Sequence, residues 1–418
     1  MSALAEYRVG IDGPFDFARA QRLAKRAGFG GTHREIERLV ELGVDGALAL
    51  LGRDAESKPQ DQSDPRRPSV NVEQARAWWL ERMLSGRGAL RERLTLLWHG
   101  HFATSIDVVL DLGLMLQQNE VLRWNGDGTF GHLLKRVVLG AAMTSYLDGN
   151  LNLRSSPNEN LAREVLELFA LGHGNYGQAD VRELARALTG WSVVDQKVRF
   201  RWADHDDGAK TILGCRGHFD AAGALDVVAN SRACARFISA TLWRAFVGEP
   251  ESSKLREELA DEFQRVDRHV GRFVERVLRS RGFLAPDAIP PRSPAPVELI
   301  CVMARGLGIE TDAVGLAAHA GRMGQRLFAP PSVAGWPQDA GWTSTSWCLR
   351  RMELPFVLLG GNSPLVSSNV SPGDFARRAF GSHAASQAAI GRAEQRLKGL
   401  PAASALACLL SLPEVQWI

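Results

Sequence analysis

Three segments of the chain combine a helix start signal with a closing glycine, and they constrain the fold more than any other feature. In each segment a capping residue is followed three positions later by Glu, and apolar residues recur at helical spacing until a glycine. The capping, acidic and closing residues are Thr32, Glu35 and Gly43; Ser156, Glu159 and Gly172; and Asp180, Glu183 and Gly190. The pattern predicts a mainly α-helical, multi-helical globular body.

One stretch departs from the helical pattern. Between Trp191 and Gly214, apolar residues partly alternate with polar ones and a turn-rich cluster follows, which is typical of short strands. We expect two or three strands that form one small antiparallel β excursion from the helical body.

Composition and charge narrow the class of protein. The 418 residues are 45% hydrophobic and 23% charged, as in ordinary globular proteins, and a net charge of +3 is too small to indicate nucleic-acid binding. No apolar run reaches the roughly 18 residues of a membrane helix, and the N-terminal residues do not resemble a signal peptide. The five cysteines lack the spacing of a metal site or a disulfide framework. These features predict a soluble, cytoplasmic chain that binds no nucleic acid.

Several long motifs resemble a known bacterial family. They include LRERLTLLWHGHFATS, NENLAREVLELFALG and GQRLFAPPSVAGWPQDAGW, and the similarity extends from about Ala18 to the C-terminus. On these motifs the sequence resembles the family called domain of unknown function 1800. The resemblance implies a mainly helical fold rather than a particular activity, because a fold alone does not determine function.

The resemblance also implies a partner. Members of this family often carry an export signal, of which we see no sign here, and they are often encoded beside a protein similar to sulfatases and alkaline phosphatases. That neighbour is therefore an expected partner. This sequence has Ala209 where the family's HDDGEK stretch usually has glutamate, so any role of that glutamate is missing here.

Because the resemblance covers most of the chain, we expect a single domain over residues 1–418. Two proline-containing stretches, 53–69 and 286–296, predict exposed connections or ordered wraps over the helices. The expected subregions are N-terminal helices at 1–52, a helical core at 70–190, the β excursion at 191–218, a helical half with a Pro-rich wrap at 219–360 and C-terminal helices at 361–418.

His99 and His101 flank Gly100 near the end of a predicted helix. At helical spacing His101 falls on the apolar leucine stripe of that helix and His99 falls almost opposite. Glycine leaves helical geometry at little steric cost, so we expect the helix to end at Gly100 and both rings to face one polar site. The alternative is that His101 is a hydrogen-bonded core residue and that His99 lies beneath a loop.

Glu164 borders the apolar stripe of its predicted helix, and no Lys or Arg stands four residues after it. We expect Glu164 to be buried beside a positive partner, which is either Arg186 from another helix or a metal ion. By contrast, Glu159, Arg163 and Glu167 are spaced as a surface salt-bridge ladder, so we expect Glu159 to be exposed.

The stretch ADHDDGAK crowds His205 and Asp206 into one turn with two further aspartates. A histidine with carboxylates suits a transition-metal site, whereas the alternative is an Asx-type turn with a solvated acidic tip. We expect His205 and Asp206 to complete a metal site.

Gln325 and Tyr176 complete the candidate residues. Gln325 lies in a Pro/Gly-rich stretch that either lines a pocket or wraps over the helices. Tyr176, like Tyr146, lies at a predicted helix end, where its phenol either faces a cleft or packs in the ordinary way. We predict Glu164, Tyr176 and Gln325 as catalytic residues.

The sequence lacks the motifs of zincins, α/β-hydrolases, P-loop enzymes and Rossmann dinucleotide-binding proteins. The preferred hypothesis is a helical metalloenzyme that binds a divalent transition metal, iron or copper before zinc. Its predicted ligands are His99, His101, Glu164, His205 and Asp206. We expect an oxidoreductase on an unspecified substrate, with metal-assisted hydrolysis as the second choice. The alternative is a non-catalytic helical binding partner of the sulfatase- or phosphatase-like neighbour, in which the same side chains form a buried polar network that fixes helix packing.

Overall fold

The computed structural model describes residues 2–52, 70–285, 292–342, 344–360, 370–381 and 384–417. The predicted connection at 53–69, and residues 286–291 of the second one, lie outside the described residues.

Residue contacts divide the chain into two compact units, each built from separate stretches of sequence. The first unit comprises Met1–Glu6, Leu94–Phe283 and Phe328–Trp336. The second unit comprises Tyr7–Arg93, Leu284–Leu327 and Pro337–Ile418. Both units therefore draw on residues that are far apart in sequence, and their boundaries cross those of the expected subregions.

The described residues form a mainly α-helical protein, as predicted. The helices are α1 (Phe17–Gly28), α2 (His33–Gly52), α3 (Val72–Ser85), α4 (Ala89–His101), α5 (Ile106–Val109), α6 (Leu112–Asn125), α7 (Phe130–Val138), α8 (Ala141–Tyr146), α9 (Glu159–Glu164), α10 (Gln178–Ala187), α11 (Ala221–Asn230), α12 (Arg232–Phe246), α13 (Ser253–Arg265), α14 (Val270–Leu278), α15 (Arg281–Leu284), α16 (Pro296–Leu307), α17 (Ala313–Arg322), α18 (Thr345–Leu359), α19 (Pro372–Phe380), α20 (Ala384–Glu394), α21 (Ala402–Leu410) and α22 (Pro413–Gln416). A π-helix at Val165–Ala170 continues α9, and short 3-10 turns occur at Gly149–Leu151, Trp202–Asp204, Asp339–Trp342 and Gln395–Leu397.

The predicted β excursion is confirmed, and it consists of two small sheets rather than one. Strands β1 (Trp191–Val194) and β2 (Lys197–Phe200) pair antiparallel, with Val194 opposite Lys197. Strands β3 (Lys210–Ile212) and β4 (Cys215–Gly217) form the second antiparallel pair. The two hairpins are separated by the 3-10 turn and the acidic stretch that follows it, so the four strands form no common sheet.

Local capping signals locate some helix starts and miss others. The Thr32–Glu35 capping box forms, because the amide of Thr32 donates to Oε2 of Glu35 at 2.7 Å and the amide of Glu35 donates to Oγ1 of Thr32 at 3.2 Å. The expected cap at Ser156 is wrong. Asn158 caps α9 instead and accepts from the amide of Asn160 at 2.9 Å, since Asn is as good an N-cap as Ser.

Two glycines that were expected to end helices lie inside them. Helix α2 bends at Gly43, where φ is +66°, and then continues to Gly52. Helix α4 passes through Gly100 and ends at His101. The expectation of a helix end at Gly100 is therefore wrong, because glycine permits a break without requiring one.

An aromatic core surrounds the end of α4 in the first unit. The ring of Trp98 packs 5.7 Å from that of Phe102, and Phe102 in turn packs 5.4 Å from Phe169, measured between ring centroids. The Trp98 indole donates to the carbonyl of Gly126 at 2.7 Å, so its one polar group is satisfied within the core.

In the second unit, α16 is buried on nearly every side and carries Glu298 at its first turn. Burial alone would raise the pKa of Glu298, but the guanidinium groups of Arg292 and Arg93 hold it down at about 2. A buried carboxylate in contact with two arginines stays ionised, and its removal would strand their charges.

None of the described helices combines the length and the hydropathy that a membrane span requires.

Candidate functional site

A π-helical turn gives the first unit its most unusual backbone. Helix α9 ends at Glu164, and Val165–Ala170 continues it with the wider π geometry. At its far end the carbonyl oxygen of Phe169 lies 2.8 Å from Nε2 of His101. Such π turns are uncommon and often occur at functional sites, because the extra residue redirects the side chains on either side of it.

Four polar side chains lie on and beside this turn, and we call them the carboxylate cluster: Glu164, Glu167, His173 and Tyr176. The Tyr176 phenol donates a hydrogen bond to Oε2 of Glu167. Nδ1 of His173 lies 3.3 Å from the other carboxylate oxygen, Oε1. Glu167 thus accepts a hydrogen bond from Tyr176 and lies beside His173, which is largely exposed.

Glu164 is the unpaired member of the carboxylate cluster. It is half-buried, and within the described part of the chain it forms neither a hydrogen bond nor an ion pair. Burial and then the negative charge of Glu167 raise the pKa of Glu164, against the smaller opposing effects of Arg163 and His173. Its carboxyl group therefore keeps a proton to higher pH than an exposed glutamate does.

The neighbouring tyrosines keep their protons. Burial and the hydrogen bond to Glu167 raise the pKa of Tyr176 to about 12. Burial and the charge of Glu164 raise the pKa of Tyr146. At neutral pH both phenols are therefore hydrogen-bond donors and not nucleophiles.

His99 and His101 lie in different aromatic surroundings rather than at one polar site. The ring centroid of His99 is 5.6 Å from Phe328 and 5.2 Å from Trp336. That of His101 is 4.8 Å from Phe102. Because α4 continues through Gly100, the two rings are not turned toward one point. Burial lowers the pKa of His99 to about 3 and that of His101 to about 4, so both are neutral at physiological pH.

His205 and Asp206 lie in the β excursion, where both form hydrogen bonds. His205 is buried, and its Nδ1 lies 3.0 Å from the carbonyl oxygen of Thr189. Asp206 accepts two hydrogen bonds from the Arg186 guanidinium, at 2.7 and 3.1 Å. Arg186 also binds Glu183, so the expectation that Arg186 is the partner of Glu164 is wrong. The guanidinium of Arg186 pairs with Asp206 and Glu183 instead.

Gln325 lies in the second unit, where it has a structural partner. Its Oε1 accepts from the amide of Val297 at 2.9 Å, which satisfies one of the free amides at the start of α16. Its predicted catalytic role stays a prediction, and its capping contact is sufficient to explain its burial.

Among the described residues, no set of three or more His, Cys, Asp and Glu side chains is arranged to hold a metal ion. The structure brings together Glu164 and Tyr176 of the predicted set. It adds Glu167 and His173, which sequence reasoning did not select. Glu167 was assigned to a surface ladder, and only the i, i+3 spacing from Glu164 hinted at a shared site.

The expected surface salt-bridge ladder of Glu159, Arg163 and Glu167 forms only in its first half. Arg163 pairs with Glu159 at 2.9 Å, whereas Glu167 turns to Tyr176. Glu159 and Glu164 are both half-buried, so the expected contrast in their exposure is absent.

Comparison with known proteins identifies the family to which the chain belongs. No curated protein and no solved structure significantly matches the chain. One family model matches residues 22–417, nearly the whole chain, and is described as "Protein of unknown function (DUF1800)". The chain therefore belongs to the DUF1800 family.

Proposed function

We propose that this protein is an enzyme in which Glu164 exchanges a proton with the substrate. The observation that carries the proposal is the state of that carboxyl group: half-buried, unpaired within the described residues, and raised in pKa beside a second carboxylate. Perturbed carboxyl groups of this kind are concentrated at active sites, because a general acid needs a pKa nearer the working pH.

The remaining members of the carboxylate cluster have distinct roles in this proposal. Glu167 lies between the Tyr176 phenol and His173, and its negative charge favours the protonated form of Glu164. Tyr176 fixes Glu167 in position and remains protonated. In this proposal Glu164 gives and takes the proton, while the charge of Glu167 raises the pKa of Glu164.

A metal is a separate prediction. The sequence favours a divalent transition metal and an iron- or copper-dependent oxidoreductase, with hydrolysis as the second choice. Because no ligand set is assembled in the described residues, the acid–base proposal uses no metal. Elemental analysis of protein purified without chelators, followed by titration with iron, copper, zinc and manganese, tests the metal prediction on its own.

The test of the acid–base proposal is a substrate screen with a matched pair of variants. Wild-type protein is assayed on panels of esters, phosphate and sulfate esters, glycosides and peptides. For any substrate that is turned over, Glu164→Gln should lower kcat by about 100-fold or more, the usual contribution of a general acid. Glu159→Gln, on the same helix, should stay within about threefold of wild type. Equal activity of both variants would contradict the proposal.

A specific surface favours the second candidate, a helical binding partner. Helix α18 exposes four apolar side chains at spacings of three, four and one residue, each about half exposed: Leu349, Met352, Phe356 and Val357. Such an apolar stripe is the usual contact face of a helix that packs against another protein. The partner proposed is the sulfatase- or phosphatase-like neighbour that the family resemblance suggests.

Titration calorimetry with that purified neighbour tests this second candidate. Met352→Glu/Phe356→Glu should abolish binding, whereas Val314→Glu, at a residue that is 51% exposed on α17, should leave it unchanged. A wild-type chain that does not bind the neighbour would contradict the candidate.

We also propose the cytoplasmic location that the sequence predicts. Cell fractionation against a periplasmic marker tests it.

A further inference from the structure

A cleft in the first unit is lined by residues other than those of the carboxylate cluster. Helices α6 and α7, the start of α8 and the tip of the β1–β2 hairpin line it, and its volume is about 690 Å³. Sites for small organic ligands have volumes of roughly 300–1,000 Å³. The cleft is therefore large enough for a ligand of drug-like size.

The walls of the cleft combine apolar side chains with polar and charged ones. Val121, Leu139 and Val198, which are half-buried, contribute apolar surface. Gln118 also lines it, and its amide is held in place because Nε2 donates to Oγ1 of Thr104 at 2.9 Å. Apolar walls with a small number of held polar groups are the usual composition of a small-molecule site.

Positively charged side chains outnumber negatively charged ones at the cleft. Lys135 is paired with Asp226 at 2.7 Å. Arg136 and Lys197 also line the cleft, and neither has an ion-pair partner in the described part of the chain. Asp195 is the one carboxylate among the lining residues. Two unpaired cations against one carboxylate favour an anion over a neutral or cationic ligand.

The hairpin tip at the cleft has strained backbone. Asp195 and Gln196 form its two-residue turn, and both have positive φ, at 49° and 60°. A turn of this type prefers Asn-Gly or Asp-Gly, so Asp195 suits its first position. Gln196 stands where glycine is preferred, and left-handed geometry costs such a residue about 1–2 kcal/mol. Strain of this kind persists where a side chain must be held in a given place, and Lys197 follows the turn directly.

We propose that this cleft binds a soluble amphiphilic anion, a small molecule with an apolar body and one carboxylate, sulfonate or phosphate head. The apolar body lies along Val121, Leu139 and Val198, and Arg136 and Lys197 bind the head. The inference is independent of the role assigned to Glu164.

Two fluorescent probes of similar shape test the proposal. 8-Anilinonaphthalene-1-sulfonate carries the anionic head, and N-phenyl-1-naphthylamine lacks it. In Arg136→Ala/Lys197→Ala, the Kd of the sulfonate should rise at least tenfold while that of the neutral probe stays within about twofold. Arg182→Ala/Lys254→Ala removes two exposed cations that do not line the cleft and should change neither value.

A third variant, Ala222→Trp, fills the cleft from α11 and should weaken both probes, with circular dichroism confirming the fold. Decanoate should compete with the sulfonate on wild-type protein, and phosphatidylglycerol vesicles should not sediment the protein. Absence of sulfonate binding to wild type, equal binding by the charge-deleted variant, or unchanged binding by Ala222→Trp would each overturn the proposal. Sedimentation with vesicles, without competition by decanoate, would overturn it in favour of a membrane lipid.

Discussion

Nε2 of His101 lies 2.8 Å from the carbonyl oxygen of Phe169, and this contact joins the last turn of α4 to the end of the π-helix. A carbonyl accepts only from a protonated nitrogen, so Nε2 carries the hydrogen. Burial lowers the pKa of His101 to about 4, so the ring is neutral at physiological pH. The contact stabilises the π-helix, which carries Glu167 and begins directly after Glu164.

His101→Phe keeps a ring in the aromatic core but removes the donor to Phe169. Since a buried carbonyl then loses its partner, we expect the free energy of unfolding to fall by about 1–3 kcal/mol in urea denaturation. His132→Phe is the control, because His132 is exposed and its ring, among the described residues, bonds to Asn125 alone at 3.1 Å. A loss no greater in His101→Phe than in His132→Phe would argue against the contact.

The buried histidines predict a dependence of stability on pH. Burial lowers the pKa of His99 from 6.5 to about 3, so the unfolded chain takes up a proton at a higher pH than the native one. The stabilisation is therefore complete above pH 6.5 and is lost as the pH falls from 6.5 toward 3. The loss should approach about 1.4 kcal/mol per pH unit for His99 alone.

Urea denaturation at pH 7, 6 and 5 measures this slope, and His99→Asn should make it shallower. Stability that is constant across this range would show that His99 is not buried in neutral form.

Two glycines that meet in the first unit should respond oppositely to alanine. A Cβ on Gly335, where φ is +83°, would collide with the carbonyl oxygen of Gly100. A Cβ on Gly100 would lie at ordinary contact distance, 3.5 Å from a ring carbon of Trp336. Gly335→Ala should destabilise by about 2 kcal/mol or more, and Gly100→Ala should stabilise α4 by about 0.5–1 kcal/mol. Thermal denaturation distinguishes them, and the reverse order would mean that α4 ends at Gly100.

The Arg186–Asp206 pair should contribute more to stability than an exposed neighbour. Its side chains are 28% and 18% exposed, against 55% and 30% for Arg201 and Asp204. Double-mutant cycles with Arg→Ala and Asp→Ala should give a coupling of about 1.5–3 kcal/mol for the first pair and at most about 1 kcal/mol for the second. Equal couplings would refute the structural role given to Asp206.

Local signals in the sequence predicted the elements that are stabilised by interactions between residues close in sequence. Thr32 and Glu35 form their capping box because both partners lie within one helical turn. The β excursion was evident from alternating residues over a few positions. The helical fold class needed nothing beyond periodicity and capping.

The candidate site could not be predicted in full from the sequence, because its side chains depend on partners that are distant in sequence. Gly100 stays helical in a place where Gly335 and Trp336 pack against it, more than 200 residues later. Arg186 fitted the requirement for a partner of Glu164, but Asp206 competes for the same guanidinium. The π-helix had no signal in the sequence, because its extra residue is accommodated by tertiary contacts such as the one from His101.

The most direct test of the central claim is a carboxyl-carbon NMR titration of Glu164, assigned by comparison with Glu164→Gln. Glu164 should titrate above its ordinary pKa of 4.5, and Glu167→Gln should bring the value down, because the neighbouring charge is removed. In the same variant the pKa of Tyr176 should fall from about 12 toward 10. A Glu164 carboxyl that titrates at or below 4.5 in the wild-type protein would contradict its assignment as the proton-holding group.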